Sequence, residues 1–247
     1  MKQPMVDAAT LNEFLDKSEP LWTAQQIDEV VEQLDARAAA STRLFEQALS
    51  ASTGANQVLW NVVPATRRLP KQDRERYEEF AKSLVWKGQK GSVLEVCQAL
   101  DEWPDRPKWG LEWGTFWLHL ANPAQHPWWT RWVYQPEFHT GALVLVLDDP
   151  EVIKNIHSIP ALYSQIHVVQ QMLTAVLDAT RRLQNIPEVY RPFISLSWVY
   201  AVYMFTMSSW RMTDEFTQVL PPFPKVVKNL LGITHWGGTR IEQSQTH

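Results

Sequence analysis

The sequence predicts an all-α fold, a bundle of about eight to ten helices with little or no β-sheet. Three observations carry that reading. Apolar residues recur at helical spacing through most of the chain, helix-start signals precede several of those runs, and the one run that could be a strand has no second run to pair with. Thr10 and Glu13 form a capping-box pattern ahead of Leu11, Phe14 and Leu15. Thr23 and Gln26 form another, followed by Ile27, Val30, Val31, Leu34, Ala38, Phe45 and Leu49. This predicts a long helix over 24–51, stopped by Ser52, Thr53 and Gly54. Its outer face carries Asp28, Glu29, Glu32 and Asp35, which suit the positive end of a helix dipole.

Pro64 and Pro70 bracket a loop holding Arg67 and Arg68, after which a helix over 71–87 is expected, with Tyr77, Phe80, Ala81, Leu84 and Val85 on one face. Ser92 and Glu95 open a further helix with Val93, Val96, Cys97 and Leu100 inward. Residues 108–121 present Trp109, Trp113, Phe116, Trp117 and Leu120 as a stripe. The stretch 122–140 is loop-rich, and 141–149 (GALVLVLDD) fits either a buried strand or a buried helix, with helix preferred. Pro150 starts a short helix, and Pro160 suits the first turn of a longer one running to about 184. Residues 193–210 carry no charge and lie between Arg191 and Arg211. That length barely reaches a membrane span, and its five Ser/Thr residues favour a central buried helix instead. A last helix ends at Gly232, and 234–247 is a polar tail. The expected organisation is one helical domain over 1–247, with a possible N-terminal hairpin over 10–54 packed on a larger bundle over 71–232.

At 247 residues the chain can bury about three quarters of its surface, so it needs neither a metal nor a disulfide staple. One cysteine, Cys97, excludes an intrachain disulfide and any multi-thiolate zinc site. The first residues lack the apolar core of a secretion signal and no N-glycosylation sequon occurs, which suggests the cytoplasm. Net charge is −4, distributed as −5 over residues 1–50, +3 over 51–100, −4 over 101–150 and +2 over the remainder. A general polyanion binder is excluded by this balance, while a local basic face is not.

Absent motifs narrow the chemistry. Nine glycines supply neither a dinucleotide fingerprint nor a phosphate-binding P-loop, and the usual zinc-protease, serine-hydrolase and helical di-iron patterns are missing. Seven histidines never fall three or four residues apart, so no helical chelating pair exists. No metal and no cofactor is expected, and no catalytic residue can be named.

Two features remain as candidate sites. Thirteen tryptophans occur, and Trp103, Trp109, Trp113, Trp117, Trp128, Trp129 and Trp132 crowd into thirty residues. As a surface or pocket they would bind a protein partner or a second copy of the chain, a flat cofactor, a sugar or splayed bases. As core they would fill space between helices, and exposure separates the two readings. The second feature is basic: Arg67, Arg68, Lys71, Arg74, Arg76, Lys82, Lys87 and Lys90, interleaved with Asp73, Glu75, Glu78 and Glu79. Of these, Arg67, Arg68, Lys71, Arg74, Lys87 and Lys90 are the candidate phosphate contacts. A scatter of Glu112, His119, His126, Glu137, His139, Asp148, Asp149, Glu151 and His157 has no ligand spacing and reads as capping and surface. Hydroxyls on 193–210 are expected to bond to their own helix.

The leading functional expectation is a non-catalytic binding or scaffold subunit using the indole-rich region. Nucleic-acid association through 67–90 is the alternative, and an enzyme or cofactor carrier with an apolar pocket between helices comes third. Membrane insertion is not expected.

Overall fold

The computed structural model describes residues 3–50, 72–73, 78–90, 92–103, 110–122, 125–211 and 221–233. Within these, residues 41–50, 78, 79, 81, 82, 85, 89, 117, 120, 121 and 208–211 are described in backbone only. The fold is all-α. The described residues form ten α-helices and no strand, with two isolated antiparallel bridges, Val6 to Leu147 and Gln135 to Thr140. The loop over 52–70 and the tail over 234–247 lie outside the described residues.

Helix α1 spans Ala8–Ser18 and begins earlier than the Thr10 box predicts. Asp7 takes the cap: its Oδ1 accepts from the amides of Ala9 (2.9 Å) and Thr10 (3.1 Å), and Thr10 Oγ1 donates to its other oxygen. The stronger capper, three residues upstream, absorbs Thr10 into the first turn. Those hydrogen bonds hold the Asp7 carboxyl below its usual range. Helix α2, Ala24–Ser50, follows the sequence expectation, and its box closes reciprocally. The Gln26 amide donates to Thr23 Oγ1 (3.2 Å) and the Thr23 amide to Gln26 Oε1 (3.0 Å).

Helices α3 (Glu78–Gln89), α4 (Val93–Asp101) and α5 (Gly110–Ala121) pack on one another. The ambiguous 141–149 run divides in two. Residues Ala142–Val146 form the short helix α6, and the chain then extends to bridge back to the segment before α1, with the Asp7 amide on Val146 O (2.8 Å) and the Asp148 amide on Met5 O (2.9 Å). Helix α7 is Glu151–Lys154, started by Asp149, whose Oδ1 accepts from the Glu151 amide.

Helix α8, Ile159–Ala179, ends before the expected residue 184. Arg181 adopts a left-handed conformation (φ 55°), and the amides of Arg181 and Arg182 return to the carbonyls of Asp178 and Leu177. That is a Schellman closure built on an arginine where glycine is usual. Helix α9, Arg191–Arg211, is the central element, packed against α1, α6, α8 and α10 (Phe223–Leu230). The first half of its uncharged stretch, 193–202, is buried apart from half-buried Tyr200, and Ser195, Ser197 and Thr206 donate to carbonyls three or four residues back. No helix among the described residues is long and apolar enough to cross a membrane. Gly232 (φ 71°) closes α10 in a second Schellman turn.

One buried charge joins the two ends of this arrangement. Arg37, on α2, is 2% exposed, and its Nη1 donates to Leu231 O at 2.5 Å. Its guanidinium lies 5.7 Å from the Phe116 ring and 5.6 Å from the Trp128 ring. No carboxylate among the described residues pairs with it, its Nε has no partner there, and burial lowers its pKa to about 10.

Candidate functional site

The indoles expected at a surface are mostly inside. Trp113 is fully buried, Trp128 and Trp129 are 2% exposed and Trp103 is 3% exposed, which corrects the expectation of exposure at these four positions. Trp132 is half-buried. Trp109 and the Trp117 side chain lie outside the described residues. The physical reason is visible in the hydrogen bonds. The Trp128, Trp129 and Trp132 ring nitrogens donate to the carbonyls of Glu112 (3.1 Å), Tyr134 (2.8 Å) and Leu230 (2.9 Å), so each indole satisfies a backbone carbonyl while its ring fills space. Elsewhere Trp22 stacks on Trp198 at 5.4 Å, an indole pair that no local spacing announces.

Two of these buried rings nevertheless reach a cavity. A cleft of about 360 Å³ is floored by Trp103 and Trp129 and walled by Leu100, Leu111, Ile159 and Leu162. Around it stand Glu137, His139, Lys154 and His157. Glu137, His139 and His157 are exposed, so they form a rim above an apolar floor. Members of the His/carboxylate scatter, assigned from sequence to capping and surface roles, thus meet at one place.

The rim is shaped by the turn over 135–141. The Gln135 amide donates to Thr140 O (2.7 Å), His139 is left-handed (φ 52°), and Tyr134 Oη lies 3.2 Å from His139 Nδ1. Gly141 (φ 128°) passes so close to the preceding strand of chain that a Cβ would sit 2.6 Å from Val133 O and 2.8 Å from Tyr134 Cα. Only glycine fits there. Lys154 Nζ is held by Glu151 Oε1 at 2.5 Å.

A second cavity of about 510 Å³ lies across the contact between α4 and α8. Its lining includes Cys97, His126, Tyr163, Ser164, His167 and Gln171. Burial pushes the Cys97 thiol up to about 12, which makes it a packing group and not a nucleophile. A third, of about 280 Å³, is bounded by Glu112, Trp128, Trp132 and Met204. Burial raises the Glu112 carboxyl to about 7, against the opposing charge of Arg131. In the interior, His119 Nδ1 donates to His126 O (3.0 Å), and burial together with Arg37 lowers its pKa to about 3.

Among the candidate phosphate contacts, Arg67, Arg68, Lys71 and Arg74 lie outside the described residues. Lys87 is half-buried, and Lys90 is exposed with Nζ 3.7 Å above the ring of Trp86, which is itself 48% exposed. No group of three or more His, Cys, Asp or Glu among the described residues is placed to hold a metal ion. The chain matches no protein-family model, no curated protein and no solved structure.

Proposed function

We propose that this chain is a non-catalytic helical binding protein, and that its ligand occupies the indole-floored cleft. The observation that carries the reading is the convergence of Glu137, His139, Lys154 and His157 above Trp103 and Trp129. Few convergent polar groups over an apolar, aromatic base are the usual composition of a small-molecule site. The ligand class that suits it has a flat apolar body for the floor and an ionised head for the rim. The indole belt therefore contributes walls from within, instead of a surface patch for a protein partner.

The test is a titration of the full chain with naphthoate and with naphthylmethylamine, followed by the indole N–H signals in ¹H–¹⁵N spectra. At least one probe should move the Trp103 and Trp129 signals, and the H139A/H157A double variant should weaken that probe about tenfold. The reading fails if neither probe moves those signals or if the double variant binds as well as the parent.

A second reading, contact with single-stranded nucleic acid, is favoured by one observation: an exposed indole, Trp86, beside Lys90 in the basic 67–90 stretch. It predicts binding of an oligonucleotide that weakens steeply with salt and falls further in an R67E/R68E variant. Absence of binding at low salt excludes it.

A further inference from the structure

The cavity between α4 and α8 differs from the cleft in one chemical respect: among the described residues, no Asp, Glu, Lys or Arg contributes to its lining. Its polar groups are two imidazoles, a hydroxyl, a phenol, a thiol and two side-chain amides, set among Val93, Leu94 and Pro160. The Tyr163 hydroxyl is already committed, donating to Pro127 O at 2.8 Å. Cys97 is buried and holds its proton. His126 is 6% exposed, and burial keeps its ring on the neutral side.

The imidazoles carry the argument. Gln171 Nε2 lies 3.1 Å from His167 Nε2. With the amide donating, a neutral ring carries its proton on Nδ1, and that nitrogen is buried without a partner. The Nδ1 of His126 is buried too, with the Gln125 backbone beside that ring. Buried polar nitrogens without partners are uncommon and costly. A turn of the His167 ring about its χ2 bond toward a ligand in the cavity replaces that unpaired position with a hydrogen bond.

We infer that this cavity is a second binding site, distinct from the cleft, and that it takes an uncharged, partly apolar molecule carrying a hydrogen-bonding group that His126 and His167 recognise. An ionised ligand entering it would shed hydration and find no counter-charge among the described lining residues. The volume matches a ligand of ordinary small-molecule size.

The experiment uses the full chain, ¹⁵N-labelled at histidine, titrated at pH 7 with naphthol, naphthoate and naphthylmethylamine. Naphthol should move the ring-nitrogen signals of His126 and His167. The two charged analogues, nearly equal in size, should act on those signals at least about tenfold more weakly. Naphthoate or the amine binding there as tightly as naphthol overturns the inference, and so does a failure of naphthol to move either ring. Because Ser164 is exposed, S164R tests the same point without threatening the fold. It adds a cation at the cavity wall and should improve naphthoate at these two rings about tenfold. No gain overturns the claim that missing charge sets the preference. The cleft is read separately through Trp103 and Trp129, so either site can fail alone.

Discussion

The same two helices, α4 and α8, wall two cavities of opposite character. On one side Leu100, Ile159 and Leu162 face a cleft whose rim holds a carboxylate, an ammonium and two imidazoles. On the other, Cys97, Tyr163 and His167 face a cavity with no formal charge among its described lining residues. The difference teaches that helix pairing supplies only the walls. Charge arrives with the irregular segments, namely the 135–141 turn and the α7 region, and these reach only one side.

The largest expected effect breaks that arrangement on one side. Gly141→Ala forces a Cβ into Val133 O at a left-handed position and should cost about 3 kcal/mol or more in denaturant unfolding. Probe binding at the cleft should fall with it, while the α4–α8 cavity keeps its response. Equal loss at both would show that the two sides are not separable.

Next comes the third cavity, where a carboxyl is inside the wall. Glu112 holds its proton up to about 7 in the folded chain, against an ordinary value of 4.5. Between those values the folded state binds more protons than the unfolded one. Stability from this group is therefore full below about 4.5, falls as pH rises and levels off above about 7, a range of roughly 3 kcal/mol. His119 acts with opposite sign, its contribution being lost as pH drops from 6.5 toward about 3. The difference between parent and Glu112→Gln isolates the carboxyl: the variant should gain relative to the parent from pH 5 to pH 7 in urea melts. A constant difference across that range would contradict the assignment.

A smaller effect belongs to the uncharged side. Tyr163→Phe leaves Pro127 O without its donor and should cost about 1–2 kcal/mol, with little change at the cleft. Least of all, the H139A/H157A pair should leave stability within about 0.5 kcal/mol, since His157 and His139 are exposed, and any larger shift would assign them a structural role.

Local features of the fold were legible because their causes are local. The Thr23–Gln26 box, the Pro160 start and the Gly232 stop each depend on a few adjacent residues, and each is found where the spacing puts it. Thr10 shows the limit, since the decision lay with Asp7, a competing capper just outside the pattern. The site was far less legible. A period of three to four residues puts Trp113 on a helix face but does not say whether that face looks inward. Trp113 is buried, and its helix packs against α2, α3 and α4. Glu137, His139, Lys154 and His157 have no shared spacing because a turn and a separate short helix bring them together. His167 and His126 are forty-one positions apart and meet only through tertiary packing.

Arg37 gives the fold a timetable. Its guanidinium ends in a hydrogen bond to Leu231, 194 positions later, and Glu29 on the same helix meets Lys228 at 3.0 Å. As the chain is synthesised from its N-terminus, α2 is made long before either partner exists. Until residue 231 emerges, water must solvate that cation, so the space between Phe116 and Trp128 cannot seal. The seam between α2 and α10 is therefore among the last parts of the core that can close.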